Sequence, residues 1–425
     1  MAMRQYRIQG GTRISGEHKV GGAKNAVLPI LAAMCLNESE SIIYNCPRIA
    51  DTFISLDILN CMGYKTEFVG NTLKVLASSD LDCNIPDECV NKMRSSILFM
   101  GAMLARCGKI DIALPGGCEL GTRAIDLHID GLRTMGANIR LENGKLYCTA
   151  GQLKGARISL HTASVGATEN LMIAAVKAKG ETIIENAARE PEIIDLAKFL
   201  TGLGAKIHGA GSGVIVINGV DELAQQKPHN IMPDRIVAGT YLAAAAMTGG
   251  ELTLTDINTV DLLPIVTKLV DMGCHIRIRD TSITLIAPPR LKALKRLTTD
   301  IHPGFPTDMQ AQFVAALAIA KGKSIVEETI FDKRHQHAQA LNCMGANIVL
   351  SDDHRKFTIH GVNKLHGKTV QAKDLRGGAA LILAALAAEG ETVVQNAEYV
   401  ERGYECIEQD LSSLGADIIL ENTVI

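Results

Sequence analysis

The stretch LRTMGANIRLENGKLYCTA, Leu132 to Ala150, closes one element and opens two others. Leu-x-x-Met-Gly reads as a helix end, because glycine takes the left-handed C-cap conformation at no steric cost. The residues that follow alternate around Asn143-Gly144, a strong hairpin turn pair. The phrase Leu-x-x-(Met/Leu)-Gly begins at Leu59, Leu132, Leu200, Leu269, Leu341 and Leu411. Its glycines, at 63, 136, 204, 273, 345 and 415, are spaced 73, 68, 69, 72 and 70 residues apart. Such regularity marks a chain built from one repeated supersecondary unit.

Upstream of the phrase lies a second shared feature, an alanine-rich apolar helix followed by a short β-rich segment, as in ENLMIAAVKAKGETIIEN and AALILAALAAEGETVVQN. One unit therefore reads helix, strand, helix, strand, strand. The alanine-rich helices are apolar nearly all round and belong inside, whereas the second helix of each unit is more amphipathic. Helices inside and sheets outside follow. The sixth copy stops one strand short at ADIILENTVI, and YRIQGGTRISGEHKVGG at the other end supplies the missing piece. Three units then fall in residues 22–230 and three in residues 1–21 plus 231–425, joined by two chain crossings.

A chain of 425 residues is too long for one compact core and long enough to enclose a cleft. Its net charge of −3 and the lack of basic runs interleaved with aromatics exclude nucleic acid as the main partner. No apolar leader or membrane-length run is present, so a cytoplasmic protein without a membrane partner is expected. Eleven cysteines, an odd number without a C-x-x-C pair, read as mostly buried reduced thiols. GAGSGV, Gly209 to Val214, lies between two β-like runs and reads as a hairpin turn, not a dinucleotide loop. His335 and His337 in KRHQH lack a third partner at ligand spacing and read as a polar helix face. Neither a metal nor a cofactor is expected.

Departures from the apolar pattern recur at one position, at or just before each inner helix: Lys24, Arg94, Thr168, Arg235, Asp308 and Arg376. Any one alone reads as a cap or a solvated charge. Together, with helix N-termini that carry a partial positive charge, they suit an anionic ligand. PGGCELGTR places Cys118 in a glycine-rich turn five residues before Arg123, where it either fills the turn or reacts. HPGFPTDMQAQ holds Asp308 after a double-proline turn, and VERGYE carries Arg402 on a short loop.

GGAKNAVLPILAA, PGGC with its arginine, SVGATEN, PGFPTDMQAQ, DLR and RGYE stand in an order that resembles the UDP-N-acetylglucosamine 1-carboxyvinyltransferase family over essentially the whole chain. The resemblance implies an α/β fold, an inside-out barrel of two domains with three βαβαββ-type units each, buried central helices and an active site in the interdomain cleft. It implies transfer of the enolpyruvyl group of phosphoenolpyruvate to UDP-N-acetylglucosamine, the first committed step of peptidoglycan synthesis. These two small molecules are then the partners. Cys118 resembles the proton donor that fosfomycin alkylates, and Asp308 the carboxylate beside the sugar hydroxyl. Lys24, Arg123 and Arg402 resemble the clamp for phosphoenolpyruvate, with Asn25 and Arg376 beside them. Asn25 again, Arg94, Arg123, Ala124, Ile125, Asp126, Leu127, Thr162, Ala163, Ser164, Val165, Asp308 and Ile330 resemble the nucleotide-sugar contacts.

The sequence departs from the family at three places: Ala124 where a proline is more usual, DLRGGA for DLRASA, and KRHQH for a bulkier run. A shikimate 3-phosphate enolpyruvyl transferase, which would not be expected to present PGGC, and a catalytically silent paralogue are the alternatives.

Overall fold

The computed structural model describes residues 2–77, 81–114 and 125–424. Each recurring phrase closes a helix on the outside of its repeat: Ala50–Cys61, Asp126–Thr134, Pro191–Gly202, Leu263–Asp271, Gln336–Cys343 and Ile407–Ser413. The glycines behind them all have φ between 97° and 107°, a conformation that a side chain would strain. Asn143 and Gly144 have φ of 52° and 76°, the left-handed pair that a two-residue hairpin needs. Gly209 and Gly211 are likewise left-handed, between antiparallel strands Lys206–His208 and Val214–Asn218.

The six inner helices are α1 (Lys24–Ala33), α2 (Leu98–Cys107), α3 (Val165–Ala175), α4 (Arg235–Thr248), α5 (Gln310–Ile319) and α6 (Leu375–Leu386). By internal packing the described chain divides into two units, one of residues 22–232 and one of residues 2–21 with 233–424. In the first, α1, α2 and α3 pack on one another; in the second, α4, α5 and α6 do. Every residue of α5 from Gln310 to Ala318 is buried. Alanine suits such a position, since it loses no side-chain entropy and lets helices approach closely.

Each inner helix feeds a five-residue strand: Glu40–Tyr44, Lys109–Ala113, Glu181–Glu185, Glu251–Thr255, Lys323–Glu327 and Glu391–Gln395. Each strand pairs antiparallel with a later strand of its own repeat, except in the sixth. There the N-terminal strand Ala2–Gln9 inserts antiparallel between Glu391–Gln395 and Asp417–Val424, in the place of the strand that the repeat lacks. A parallel strand completes most sheets. For Glu40–Tyr44 it is His229–Asn230, and for Glu251–Thr255 it is Gly16–Lys19, so in each unit a distant segment closes the set of three sheets.

One register position is shared by the repeats. The residue after the central strand is Asn45, Asn186, Asp256 or Asn396, each at φ of 53° to 61°, which Asn and Asp tolerate best among residues with a side chain. The Nδ2 groups of Asn45, Asn186 and Asn396 donate to the carbonyls of Ile231, Leu160 and Ala372 at 2.8 to 3.0 Å, tying the central strand to the parallel edge. Two repeats differ: Leu114 and Glu328 stand there instead.

Gly101 marks a close approach of α2 and α3. Its N–H donates to Asn170 Oδ1 at 2.8 Å, and an added Cβ would lie 2.4 Å from that oxygen. Asn170 also donates to Ile97 O at 3.2 Å and meets His128 Nδ1 at 2.9 Å, so it has little room to yield. Gly101→Ala is therefore expected to lower the unfolding free energy by about 1–3 kcal/mol, read by urea titration.

Candidate active-site residues in each unit

In the unit that contains Asp308, Pro306 leads into a single turn, Thr307–Met309, at the start of α5. The Asp308 carboxylate is held from two sides. Arg334 Nη1 donates to Oδ1 at 2.9 Å and Arg376 Nη2 donates to Oδ2 at 3.0 Å. The arginine side chains are only 4% and 3% exposed, against 22% for Asp308, so solvent reaches the acid and hardly reaches its partners. A buried guanidinium needs such a counter-charge, because desolvation otherwise penalises it heavily. Burial works against the charge of Arg376, but Asp308, then Tyr404 and Asp234, outweigh it and hold the group protonated.

Local structure aims both arginines. Asp374 Oδ1 caps α6 by accepting from the N–H groups of Arg376 and Gly377 at 3.0 and 2.8 Å. This puts Arg376 in the first turn with its guanidinium 5.7 Å from the Tyr404 ring centroid. Tyr404 is anchored by Thr240 Oγ1 at 2.8 Å, and two residues earlier in the same loop stands half-buried Arg402. Arg334 lies 4.5 Å from the centroid of Phe331. Among the described residues, Arg376 Nη1 and Arg334 Nε are buried donors with no hydrogen-bond acceptor, a condition that an incoming anion would relieve.

Arg334 and Glu328 were not singled out from the sequence. Glu328 is 2% exposed and accepts from Thr299 Oγ1, Thr307 Oγ1, and the N–H groups of Ile330 and Phe331 at 2.8 to 3.1 Å. These bonds leave the Ile330 side chain exposed. The signal was legible: at this register the other repeats put Asn or Asp, or, ahead of the Cys118 segment, Leu114.

In the other unit, Lys24 is the first residue of α1, with Nζ 3.0 Å from the buried Asp51 carboxylate, and Asn25 follows it. Arg94 opens the turn Arg94–Ile97 that leads into α2. Asp126 and Leu127 begin the helix that Ile125 precedes. Ser164 caps α3 by accepting from the Ala167 N–H at 3.4 Å, with Thr162 and Ala163 before it and Val165 after. His161 Nε2 lies 3.8 Å from Asp126 Oδ2, which brings these two segments together. Beneath them His128 is pushed down to about 4, by burial first and then by Arg94. Cys118, Arg123 and Ala124 lie outside the described residues.

Three expectations need correction. Thr168 is not at a helix start but one turn inside α3, where its hydroxyl accepts from the Ala188 N–H at 3.0 Å; the cap is Ser164. KRHQH is not a polar face: Arg334 turns inward, and His337 is buried against Phe357, with ring centroids 5.7 Å apart. The cause is helix geometry, since residues 337, 338 and 341 form the inner face of Gln336–Cys343. His335 instead meets His354, with ring centroids 4.5 Å apart. Nor are the thiols mostly buried. Of the ten described cysteines five are buried and none is disulfide-bonded; Cys61, Cys107 and Cys343 are exposed. Burial pushes the Cys35, Cys148 and Cys274 thiols up to about 12, far from reactivity. No group of three or more metal-ligating side chains and no membrane-length apolar helix occurs among the described residues.

The glycines of DLRGGA sit in tight places. A Cβ on Gly377 would stand 2.7 Å from Asp374 Oδ2 and 3.3 Å from His337 Cβ, and one on Gly378 would stand 2.6 Å from Val400 Cγ2.

Residues 8–411 match the EPSP synthase (3-phosphoshikimate 1-carboxyvinyltransferase) family. The chain belongs to this family. Among carboxyvinyltransferases it is 49% identical over 417 residues to UDP-N-acetylglucosamine 1-carboxyvinyltransferase 2 of Caldanaerobacter subterraneus subsp. tengcongensis, covering 98% of this chain and 99% of the relative. It is 46% identical to UDP-N-acetylglucosamine 1-carboxyvinyltransferase 1 of Symbiobacterium thermophilum, covering 97% and 94%. The enolpyruvyl transferase NikO from Streptomyces tendae superposes over 100% of both chains with a TM-score of 0.89 at 25% identity. EPSP synthase from Acinetobacter baumannii, at 19% identity and a TM-score of 0.74 over 99% and 100% of the chains, shares the fold.

Glu169 on α3 yields a stability prediction. It is 4% exposed, its Oε1 has no partner, and burial, then Glu192 and Glu190, raise its pKa well above the usual value. The unfolded chain ionises this group near 4.5 while the folded chain resists, so its contribution to stability shrinks as pH rises above that value. Glu169→Gln is expected to match the parent at pH 4.5 and to exceed it by about 1 kcal/mol or more at pH 8 in urea unfolding.

Proposed function

We propose that this carboxyvinyltransferase moves the enolpyruvyl group of phosphoenolpyruvate to the 3'-hydroxyl of UDP-N-acetylglucosamine and releases phosphate. The observation that carries this reading is identity of 45 to 49%, over 97 to 98% of the chain, to relatives of that name. In the reaction a proton adds to the methylene carbon of phosphoenolpyruvate, and the adjacent carbon becomes oxocarbenium-like. The sugar oxygen bonds to that carbon as its own proton leaves. Loss of phosphate and of one methyl proton then restores the double bond.

The roles proposed for the residues suit those steps. Cys118 gives the proton to the methylene carbon, and Asp308 receives the hydroxyl proton. Lys24, Arg123 and Arg402 hold the phosphoenolpyruvate anions with Asn25 beside them, and stabilise the departing phosphate. Arg376 can serve both partners, one nitrogen on Asp308 and the orphaned Nη1 toward the anion. Asn25, Arg94, residues 123–127, residues 162–165, Asp308 and Ile330 take the nucleotide sugar. The oxocarbenium-like intermediate needs water kept away from it. Peptidoglycan precursor synthesis in the cytoplasm is the setting that this chemistry implies.

Phosphate release from phosphoenolpyruvate with UDP-N-acetylglucosamine, and separately with shikimate 3-phosphate, tests the reading. Release is expected only with the sugar nucleotide; release only with shikimate 3-phosphate would establish the alternative. Asp308→Asn should cost roughly 100-fold or more in kcat, as expected for a group acting on the transferred proton. Mass spectrometry after fosfomycin treatment should find one adduct, on Cys118, with loss of activity. An adduct on another cysteine with activity kept, or an unimpaired Asp308→Asn enzyme, would support the silent-paralogue reading.

A further inference from the structure

Two repeats break the Asn/Asp register after the central strand, and both precede segments assigned to the reaction: Leu114 before the Cys118 segment and Glu328 before Ile330 and Arg334. Glu328 meets the edge differently from Asn45, Asn186 and Asn396: its Oε1 accepts from the hydroxyl of Thr299, the residue after the parallel edge strand Leu297–Thr298, while its Oε2 turns into the Asp308 cluster.

The hydrogen bonds form a directed chain. Thr307 Oγ1 donates to Glu328 Oε2 at 2.9 Å, and the same oxygen accepts from Arg334 Nη1 at 2.7 Å. Arg334 Nη1 also donates to Asp308 Oδ1 at 2.9 Å. A threonine has one hydroxyl proton, so committing it to Glu328 turns the oxygen lone pairs toward Arg334. The other oxygen, Oε1, accepts from the N–H groups of Ile330 and Phe331 at 2.8 and 3.1 Å and from Thr299 Oγ1 at 3.0 Å.

We propose that Glu328 is a positioning residue with two separable arms. Through Oε2 and Thr307 it sets Arg334, and through Arg334 the direction of the Asp308 carboxylate. Through Oε1 it fixes the backbone that presents Ile330 to the nucleotide sugar. This role rests on the activity proposed above. Glutamine does not reproduce the acid, since its NH2 group would either reverse the bond to Thr307, leaving that hydroxyl proton without its acceptor, or face the two backbone N–H groups.

The two arms predict different kinetic signatures. Thr307→Val keeps the side-chain shape and removes only the Oε2 arm, so kcat should fall about tenfold or more while the KM for UDP-N-acetylglucosamine stays within about twofold. Thr307→Ser restores the hydroxyl and should recover kcat to within about threefold of the parent. Glu328→Gln disturbs both arms, so kcat should fall and that KM should rise about fivefold or more. A purely structural Glu328 would instead lower the melting temperature and leave both constants unchanged per folded molecule. That outcome overturns the proposal, as does Thr307→Val with parental kcat, or equal losses in Thr307→Val and Thr307→Ser. A parent enzyme that releases no phosphate removes the activity reading and this role together; an active parent with an unaffected Thr307→Val removes the role alone.

Discussion

The grip of Arg334 and Arg376 on Asp308 constrains this half of the candidate site more than any other interaction. Two guanidiniums buried to within a few per cent of full exclusion would be strongly destabilising without a shared counter-ion. The elements that carry them are fixed accordingly: Asp374 caps α6 to place Arg376, Tyr404 packs on that guanidinium, and Glu328 with Thr307 sets Arg334. A carboxylate held by two arginines is also preorganised, since it need not reorient when a hydroxyl arrives. The buried donors left over, Arg376 Nη1 and Arg334 Nε, are where the cluster remains incomplete.

Most of the fold was legible because its repeats obey one backbone requirement. Glycine behind each outer helix must be left-handed, so Gly63, Gly136, Gly204, Gly273, Gly345 and Gly415 announce the repeat in the sequence itself. The missing sixth strand was readable for the same reason, as a count that did not close until Ala2–Gln9 filled it. Composition gave the inner helices, because segments apolar on every side have nowhere to go but the core.

The site was legible only in part. Asp308 and Arg376 stood out as charges at inner-helix starts. Thr168 shared the spacing without sharing the place, because α3 starts at Val165 and so begins before it. Arg334 was hidden in LysArgHisGlnHis, where nothing local says which cation turns inward; the face of Gln336–Cys343 and the reach of Asp308 decide it. His337 misled for the same reason: it lies on the inner face of that helix, against Phe357. Glu328 could have been found, since the register that it breaks is visible as soon as the repeats are aligned.

The central claim is that Asp308 and Arg376 act as one unit, and a double-mutant cycle on kcat for phosphate release measures it directly. Asp308→Asn, Arg376→Met and the double variant should lose activity to similar extents, so that the second substitution costs less than about threefold once the first is present. Losses that multiply, each substitution costing as much in the double variant as alone, would contradict the account.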